Sequence, residues 1–446
     1  MNNLNLRNVI SHDMDFKYPV WHPYSSVNKD YFSMRNFVRG EGIYLFDVNN
    51  KKYIDASSGL WNIALGYGNE RIISAINKQL YDLPFTSLFY YTNPIIIACA
   101  NKILSLCECD MKKVFFTCSG SESIELAIKT MREYWTIRKR DDKKTIISFN
   151  NSYHGTHYGS MGVSGLSRKH IAGYGPLVDD IVFFDPKIEQ KNVSKNERDN
   201  NELQAIEEYI IKNHDRIAGI LIEPILASNG VSIITDRYIE MVQRLCTEYN
   251  ILITVDEVTV GFYRTGEALY SNSLNIEPDI ICMAKGINNG YLPLGAVMFN
   301  EKIYSVYNQS DRLLYHGTTQ GGNLASCAAC IAAIEEYSRL NIGENVKHIN
   351  SYLMDKLSKN IINHKNVNDI WGKGCLIQIE LIRGKKNNSH LSIQQIGILK
   401  YELLKKGLIV SHAESGLTLL PMLIMNEEQV DELVGILEQV FSSIVF

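Results

Sequence analysis

The chain has 446 residues, 45% of them apolar, and a formal net charge of −4 at pH 7. That length and apolar content suffice for one large core and a smaller satellite, so two unequal domains are expected. No basic stripe or Lys/Arg-rich block is present, which argues against a nucleic-acid partner and against an appended DNA-binding module.

The first residues, Met1 to Lys17, are Asn-rich and polar rather than charged and then apolar, and no apolar run approaches the length that spans a bilayer. A cytoplasmic protein without a membrane partner is the expectation. Between Asn62 and Ala329 short apolar runs alternate with longer helical patterns, as in a sheet flanked by helices. The strand candidates, in order, are 114–116, 145–149, 181–184, 219–222, 252–255, 280–283 and 295–299. Residues 186–201, rich in Lys, Asn, Glu and Asp, read as a solvated surface insertion, and 384–390 as a second loop. Beyond Ile331 come long helical patterns and one further strand, 375–381.

Nine cysteines, an odd number without a regular framework, fit reduced thiols. Cys327 and Cys330 lie in a run of small residues that reads as a tightly packed helix, and Cys107 and Cys109 bracket Glu108 with no second pair. Neither place is expected to bind a metal, because partner ligands are missing.

Two of the apolar runs end on groups of opposite character. Asp256 closes 251–255, and Lys285 follows 279–284 with Gly286 directly after it. An acid and an amine delivered to the same sheet edge can hold a pyridoxal phosphate (PLP) ring from both ends, the amine as a Schiff base with the aldehyde and the acid paired with the ring nitrogen. A lysine after a buried strand is also a common solvated cap, so the neighbouring motifs decide. Ser119-Gly120-Ser121 stands between strand 114–116 and a helical pattern whose Ile124, Ile128, Met131 and Trp135 share one face. A helix start offers unpaired N–H groups and a favourable dipole to a phosphate; Gly120 lets the backbone approach and Ser121 adds a hydroxyl. On these residues alone an ordinary serine-capped helix stays open.

With Glu257 to Gly266 following the acid, Ser119-Gly120-Ser121-Glu122 and Tyr153-His154-Gly155 upstream, and the ends marked by Trp21-His22-Pro23-Tyr24 and Pro421-Met422-Leu423, the chain resembles the class III, or omega-type, aminotransferases of PLP fold type I. The resemblance implies an α/β fold with a mostly parallel seven-stranded sheet, one member antiparallel, flanked by helices, and a smaller α+β domain drawn from both termini. Residues 1–61 would contribute to the small domain, 62–330 would form the large PLP-binding domain, and 331–446 the C-terminal small domain.

The same resemblance implies PLP as cofactor, a small-molecule amino donor and a carbonyl acceptor. Ser119, Gly120 and Ser121 would take the phosphate, Tyr153 one face of the ring with His154 beside it, and Val258 the other face. Asp256 would keep the ring nitrogen protonated, and Glu223 would shape the polar surroundings, a plain structural hydrogen bond being an equal reading. Lys285 would hold the cofactor and then move a proton at the substrate carbon. A lysine near its reference pKa of about 10.4 is too basic for that, and desolvation lowers it. His316 to Asn323 resembles the segment that reaches the phosphate of the neighbouring subunit, with Thr319 in contact, which implies a homodimer; a Gly-rich loop capping the next helix is the simpler alternative. Tyr24, Trp61 and Phe89 would line the substrate pocket, although aromatic residues also serve as core.

The chain departs from the family at one place. Many members clamp a substrate carboxylate with an arginine on the C-terminal loop, where this chain has Ser411, and no arginine follows Arg383. Losing a bidentate guanidinium removes the strongest carboxylate partner such a pocket offers. His412 and Arg168 are the candidate substitutes. Without them, at least one substrate is expected to lack a carboxylate near the reacting carbon: an amine, an aldehyde or the carbonyl of a modified peptide. An aminomutase or decarboxylase on the same fold, and a non-catalytic PLP-fold binding subunit, remain the rival readings.

Overall fold

The computed structural model describes residues 20–26, 36–168, 170–189, 198–384, 389–444 and 446. Strands β1 (Phe37–Glu41), β2 (Tyr44–Asp47) and β3 (Lys52–Asp55) form an antiparallel meander. The chain then builds the main sheet from β4 (Met111–Thr117), β5 (Thr145–Phe149), β6 (Ile181–Phe184) and β7 (Ile217–Ile222). After a short hairpin, β8 (Ile225–Leu226) with β9 (Ser232–Ile233), it adds β10 (Leu252–Asp256), β11 (Ile280–Met283) and β12 (Gly295–Asn300). The spatial order is β4-β12-β11-β10-β7-β5-β6, and only β12 runs against its neighbours. All seven expected strands are its seven members.

These strands read as continuous apolar runs because helices cover both faces of the sheet. Alternate residues go to opposite sides. Leu221 and Leu252 pack with Ile124, Ile128, Met131 and Trp135 of the helix Gly120–Ile137. Ile220, Ile222, Ile253 and Val255 pack with Tyr238, Ile239, Val242 and Leu245 of the helix Asp236–Glu248. This is the two-residue period of a strand buried on both faces. The first helix is buried more widely than one stripe, since Leu126, Ala127 and Tyr134 are covered as well.

The last third of the chain adds β13 (Val367–Lys373), β14 (Leu376–Leu381), β15 (Leu408–Ile409), β16 (Ser411–Ala413) and β17 (Gly416–Leu419). Strand β15 joins the N-terminal meander, pairing parallel with β3 through Leu408–Ile54 and Ile409–Asp55. Ile43 and Ile54 share one hydrophobic core with Leu353, Ile379, Leu403 and Leu437. Backbone bonds from Ala56 to Ile409 (3.0 Å) and from Leu420 to Ala56 (2.7 Å) hold the stretch after β3 between β15 and β17. That stretch carries Trp61 to the same place as Ser411.

Three expectations need correction or limits. The solvated insertion at 186–201 is structured at both ends: Ile188 bridges Ile234 and a helix, Arg198–Asn213, starts inside it, while 190–197 lie outside the described residues. Around the 384–390 loop, Arg383 bonds to Ser389 at 2.9 Å and Ile382 bridges His390, and 385–388 lie outside the described residues, as do Met1 to Lys17. Reduced thiols were expected throughout, but Cys107 and Cys109 are joined in a disulfide, their Cα atoms 5.2 Å apart on the turn between the helix Pro94–Leu104 and β4. That separation is within ordinary disulfide reach, and parity of the cysteine count does not detect it. The other seven cysteines are free, Cys327 and Cys330 among them, buried in the helix Leu324–Arg339. Among the described residues no helix is long and apolar enough to cross a membrane.

Candidate active site

The site lies at the C-terminal ends of β10 and β11. Their register sets Asp256 opposite Cys282, so the acid leaves one strand just before the chain leaves its neighbour. Lys285 then opens a short 3-10 turn with φ +46°, a conformation few non-glycine residues adopt. Both side chains line a cavity of about 430 Å³, together with Ser119, Gly120, Ser121, Tyr153, His154 and Val258.

At one end of the cavity Asp256 is buried. Its Oδ2 lies 2.7 Å from His154 Nδ1, and its Oδ1 accepts the Val258 N–H at 3.0 Å. Main-chain N–H of His154 donates to Ser164 Oγ (2.8 Å), and Nε2 of the ring has no partner among the described residues. Glu223, also buried, accepts the N–H groups of Tyr153 (3.0 Å) and Ala227 (3.2 Å). Burial pushes its carboxyl above the usual range, with Asp256 reinforcing and His154 opposing.

Across the cavity Lys285 Nζ donates to Thr259 Oγ1 at 2.6 Å and lies 4.8 Å from the centroid of the Trp61 ring. Burial is the main cause that brings this amine down to about 8; Arg264 adds to it, while Asp256 and Glu223 act the other way. A far larger neutral fraction than an ordinary lysine has is thereby available near physiological pH, although the ammonium form still predominates there.

The third wall is the start of the helix Gly120–Ile137. Ser119 caps it, Oγ accepting the Glu122 N–H at 3.2 Å, and the Ser123 N–H goes to the Ser119 carbonyl. Glu122 reaches back to the Cys118 N–H at 2.8 Å. Those bonds use the later orphan donors of the first turn and leave the N–H groups of Gly120 and Ser121 for the cavity they line. Two glycines shape the wall. A Cβ on Gly120 would stand 2.9 Å from Val258 Cγ1, and one on Gly155, at φ +117°, would stand 2.2 Å from Ser121 Oγ. Ser121 Oγ itself accepts the Thr156 N–H at 3.1 Å.

The remaining expected residues divide. Trp61, also at positive φ, donates from Nε1 to Ser411 Oγ at 3.1 Å, so Ser411 is tied to the indole beside the amine. Tyr24 is 84% exposed, yet its hydroxyl lies 3.0 Å from that of Tyr153. Phe89 is exposed, lies against Gly317 and does not line the cavity. Thr319 is exposed on the loop before the helix Leu324–Arg339, outside the cavity of its own chain. His412 points away from Ser411, as the next residue in a strand must, and its Nδ1 lies 2.9 Å from Lys400 Nζ. Burial and that ammonium push the imidazole below its usual pKa, which opposes a cationic role. Arg168 is exposed and stacks on Phe183 of β6, 4.8 Å from the ring centroid. Neither candidate substitute lines the cavity.

Sequence reasoning missed Thr259 and Asn62, which line the cavity, and Arg264, buried with Nη1 bonded to the carbonyls of Pro421 (2.6 Å) and Cys375 (3.3 Å). A hydroxyl between Val258 and Val260, next to the acid, was the one available signal for Thr259. The residues present suit a flat aldehyde-bearing phosphate: an amine at one side, a buried acid at another, free N–H donors at a helix start, and walls that a methyl group would obstruct. Among the described residues no cluster of three or more His, Cys, Asp or Glu offers a metal site.

Comparison with known proteins points the same way. The family model described as aminotransferase class-III matches residues 24–441. The adenosylmethionine-8-amino-7-oxononanoate aminotransferase of Staphylococcus aureus is 29% identical over 96% of this chain and 96% of its own. A putrescine–pyruvate aminotransferase of Pseudomonas aeruginosa is 30% identical over 94% of this chain and 92% of its own. An amine transaminase from an uncultivated Pseudomonas species, solved in its PLP-bound (internal aldimine) form, superposes with a TM-score of 0.90 at 26% identity, covering 96% of this chain and 99% of that one.

Proposed function

The chain belongs to the class III aminotransferases, PLP-dependent enzymes that move an amino group from a donor to a carbonyl acceptor, and from that premise we propose that Lys285 and Asp256 carry the reaction and that one substrate lacks a carboxylate near the reacting carbon. The observation that carries the substrate reading is the Trp61–Ser411 bond: the indole beside the amine is hydrogen-bonded to a serine hydroxyl at the chain position where the resemblance puts a carboxylate-clamping guanidinium. Putrescine, named in one relative's activity, is a donor of this kind.

When bound, PLP supplies an aldehyde that takes the amino group and a ring that withdraws electrons from the reacting carbon. In this reading Gly120 and Ser121 N–H groups bind the phosphate at the helix start, and Ser119 and Ser121 fix that turn. Tyr153 and Val258 confine the ring plane. Asp256, oriented by His154 and the Val258 N–H, keeps a proton on the ring nitrogen. Glu223 holds the Tyr153 backbone in place. Lys285, freed by an incoming amine, moves the proton at the substrate carbon, for which its lowered pKa suits it. Transamination by the relatives supports this over the aminomutase, decarboxylase and binding-subunit readings.

A homodimer belongs to the same proposal. Tyr81, Tyr90, Tyr91, Leu313 and Tyr315 are all exposed, and their segments touch where Phe89 meets Gly317 and Leu88 meets Gly322. A second copy would cover that apolar surface and present Thr319 to the other cavity. Division into lobes near residues 61 and 330 is supported by the pairing of β15 with β3, and a cytoplasmic location by seven free thiols, set against the single Cys107–Cys109 disulfide.

The substrate reading is tested with 4-aminobutyrate and propylamine, which differ only by the carboxylate. Single-turnover rates of the PLP-loaded enzyme should favour propylamine. A preference for 4-aminobutyrate would overturn the carboxylate-poor assignment and leave the aminotransferase assignment standing.

A further inference from the structure

The Lys285 side chain is long and carries about 2 kcal/mol of rotamer entropy, so an amine that must leave and return along one path needs something to hold it. Among the described residues two contacts meet its tip: the Trp61 ring at 4.8 Å, which is not directional, and the Thr259 hydroxyl at 2.6 Å, which is. Thr259 is nearly buried and makes no other side-chain hydrogen bond among the described residues. Its position is rigid. Asp256 Oδ1 holds the Val258 N–H, and the Gly261 N–H returns to the Glu257 carbonyl at 2.9 Å, so residues 256–261 form one tight turn. The same turn therefore carries the acid, the side chain packed against Gly120, and the hydroxyl that meets the amine.

We propose that Thr259 is a positioning residue for Lys285: its Oγ accepts a hydrogen from Nζ, aims the amine into the cavity, and leaves its own O–H as a spare donor on the cavity wall. A hydroxyl has one donor and two acceptor sites, so both uses are compatible. Threonine stands between two valines here, and valine at 259 would have filled the same volume without the hydrogen bond. The inference rests on Lys285 being the PLP-bearing lysine, and its test separates the two.

Charged groups facing the amine are Asp256, Glu223 and Arg264, and none of them changes in Thr259→Val. An acceptor stabilises the ammonium form, so removing it should lower the pH at which the amine is freed. The experiment uses protein stripped of PLP, labelled with acetic anhydride across a pH series, with the Lys285 peptide followed by mass spectrometry. Thr259→Val should shift the labelling midpoint down by about one pH unit, and Thr259→Ser should return it to the wild-type value. An unmoved midpoint in Thr259→Val, or a serine variant that behaves like valine, overturns the positioning role. Borohydride reduction of the PLP-loaded wild type provides the second arm. A label on another lysine defeats the functional reading itself, whereas a label on Lys285 with an unmoved midpoint defeats only Thr259.

Discussion

The Trp61 indole donates to the Ser411 hydroxyl across 3.1 Å, and the same indole lies 4.8 Å from the Lys285 amine. One residue from the N-terminal third and one from the C-terminal segment thus meet beside the amine. The contact exists because Ala56 is hydrogen-bonded on both sides, to Ile409 and to Leu420, which brings the 57–61 turn against β16. A guanidinium at 411 would compete for that space and would leave the indole N–H without its acceptor.

Ser411→Arg should therefore change selectivity in a defined direction. A carboxylate gains a cationic partner, and kcat/KM for 4-aminobutyrate relative to propylamine should rise by about tenfold, the equivalent of one charge-assisted hydrogen bond of modest strength. Steady-state kinetics on the pair measures it. Ser411→Ala supplies the control: it removes the acceptor of Trp61 without adding charge, and the ratio should stay near wild type.

In Lys285→Ala, PLP should still bind through the helix start and Asp256 but without the covalent link, and turnover should fall at least about a hundredfold because the proton carrier at the substrate carbon is gone. Borohydride, which should fix the cofactor covalently to the wild type, should leave none attached to this variant after denaturation. Retained turnover would assign the chemistry to another lysine.

Asp256→Asn is nearly isosteric and keeps an oxygen for the Val258 N–H, so the fold should persist. What is lost is the negative charge facing His154 and, in the proposed role, the partner of the ring nitrogen. Half-reaction rates should drop on the order of a hundredfold while PLP occupancy changes little. Stopped-flow spectra and a PLP titration separate the two, and equal losses in both would make Asp256 a binding residue only.

Gly155 faces Ser121 so closely that a methyl group would stand 2.2 Å from Oγ, and its φ of +117° is open to glycine almost alone. Gly155→Ala should push Ser121 off the Thr156 N–H and distort the phosphate wall. Strain of the order of 1–3 kcal/mol corresponds to about a tenfold or greater loss of PLP affinity. Titrating stripped protein with PLP measures the loss, and unchanged affinity would remove Ser121 from the phosphate site.

The main sheet was legible because its strands are buried on both faces and stand out as uninterrupted apolar runs between helical patterns, as at 252–255 and 280–283. The acid and the amine were legible because each interrupts the chemistry of such a run at its end. What the sequence withheld was direction and distance. His412 and Ser411 are adjacent in sequence and face opposite ways, a matter of strand register that loop composition does not reveal. The Thr259–Lys285 bond, the Trp61–Ser411 bond, whose partners are 350 positions apart, and the His154–Asp256 contact are tertiary pairings with no local signature. The disulfide at 107 and 109 escaped for a different reason, since a cysteine count weighs frameworks and not a single turn.

Thr319 tests the interface, because it stands exposed and outside the cavity of its own chain. If the loop serves a neighbouring subunit, Thr319→Ala should weaken PLP retention by about tenfold or more, as loss of one hydrogen bond to a charged phosphate would, about 1.5 kcal/mol or more. Mixing inactive Lys285→Ala with a disrupted Thr319 variant should then restore activity. In a hybrid dimer one cavity has the lysine lesion together with the damaged neighbouring loop, and the other has neither lesion. At equal mixing about half of the dimers are hybrids, each with one intact site, so about a quarter of all sites are intact. Recovery toward that level, measured after subunit exchange has been verified by mass spectrometry, supports a composite site. If exchange is complete and activity stays at the average of the two parents, the loop does not serve the neighbour, and the exposed tyrosines around it require another partner.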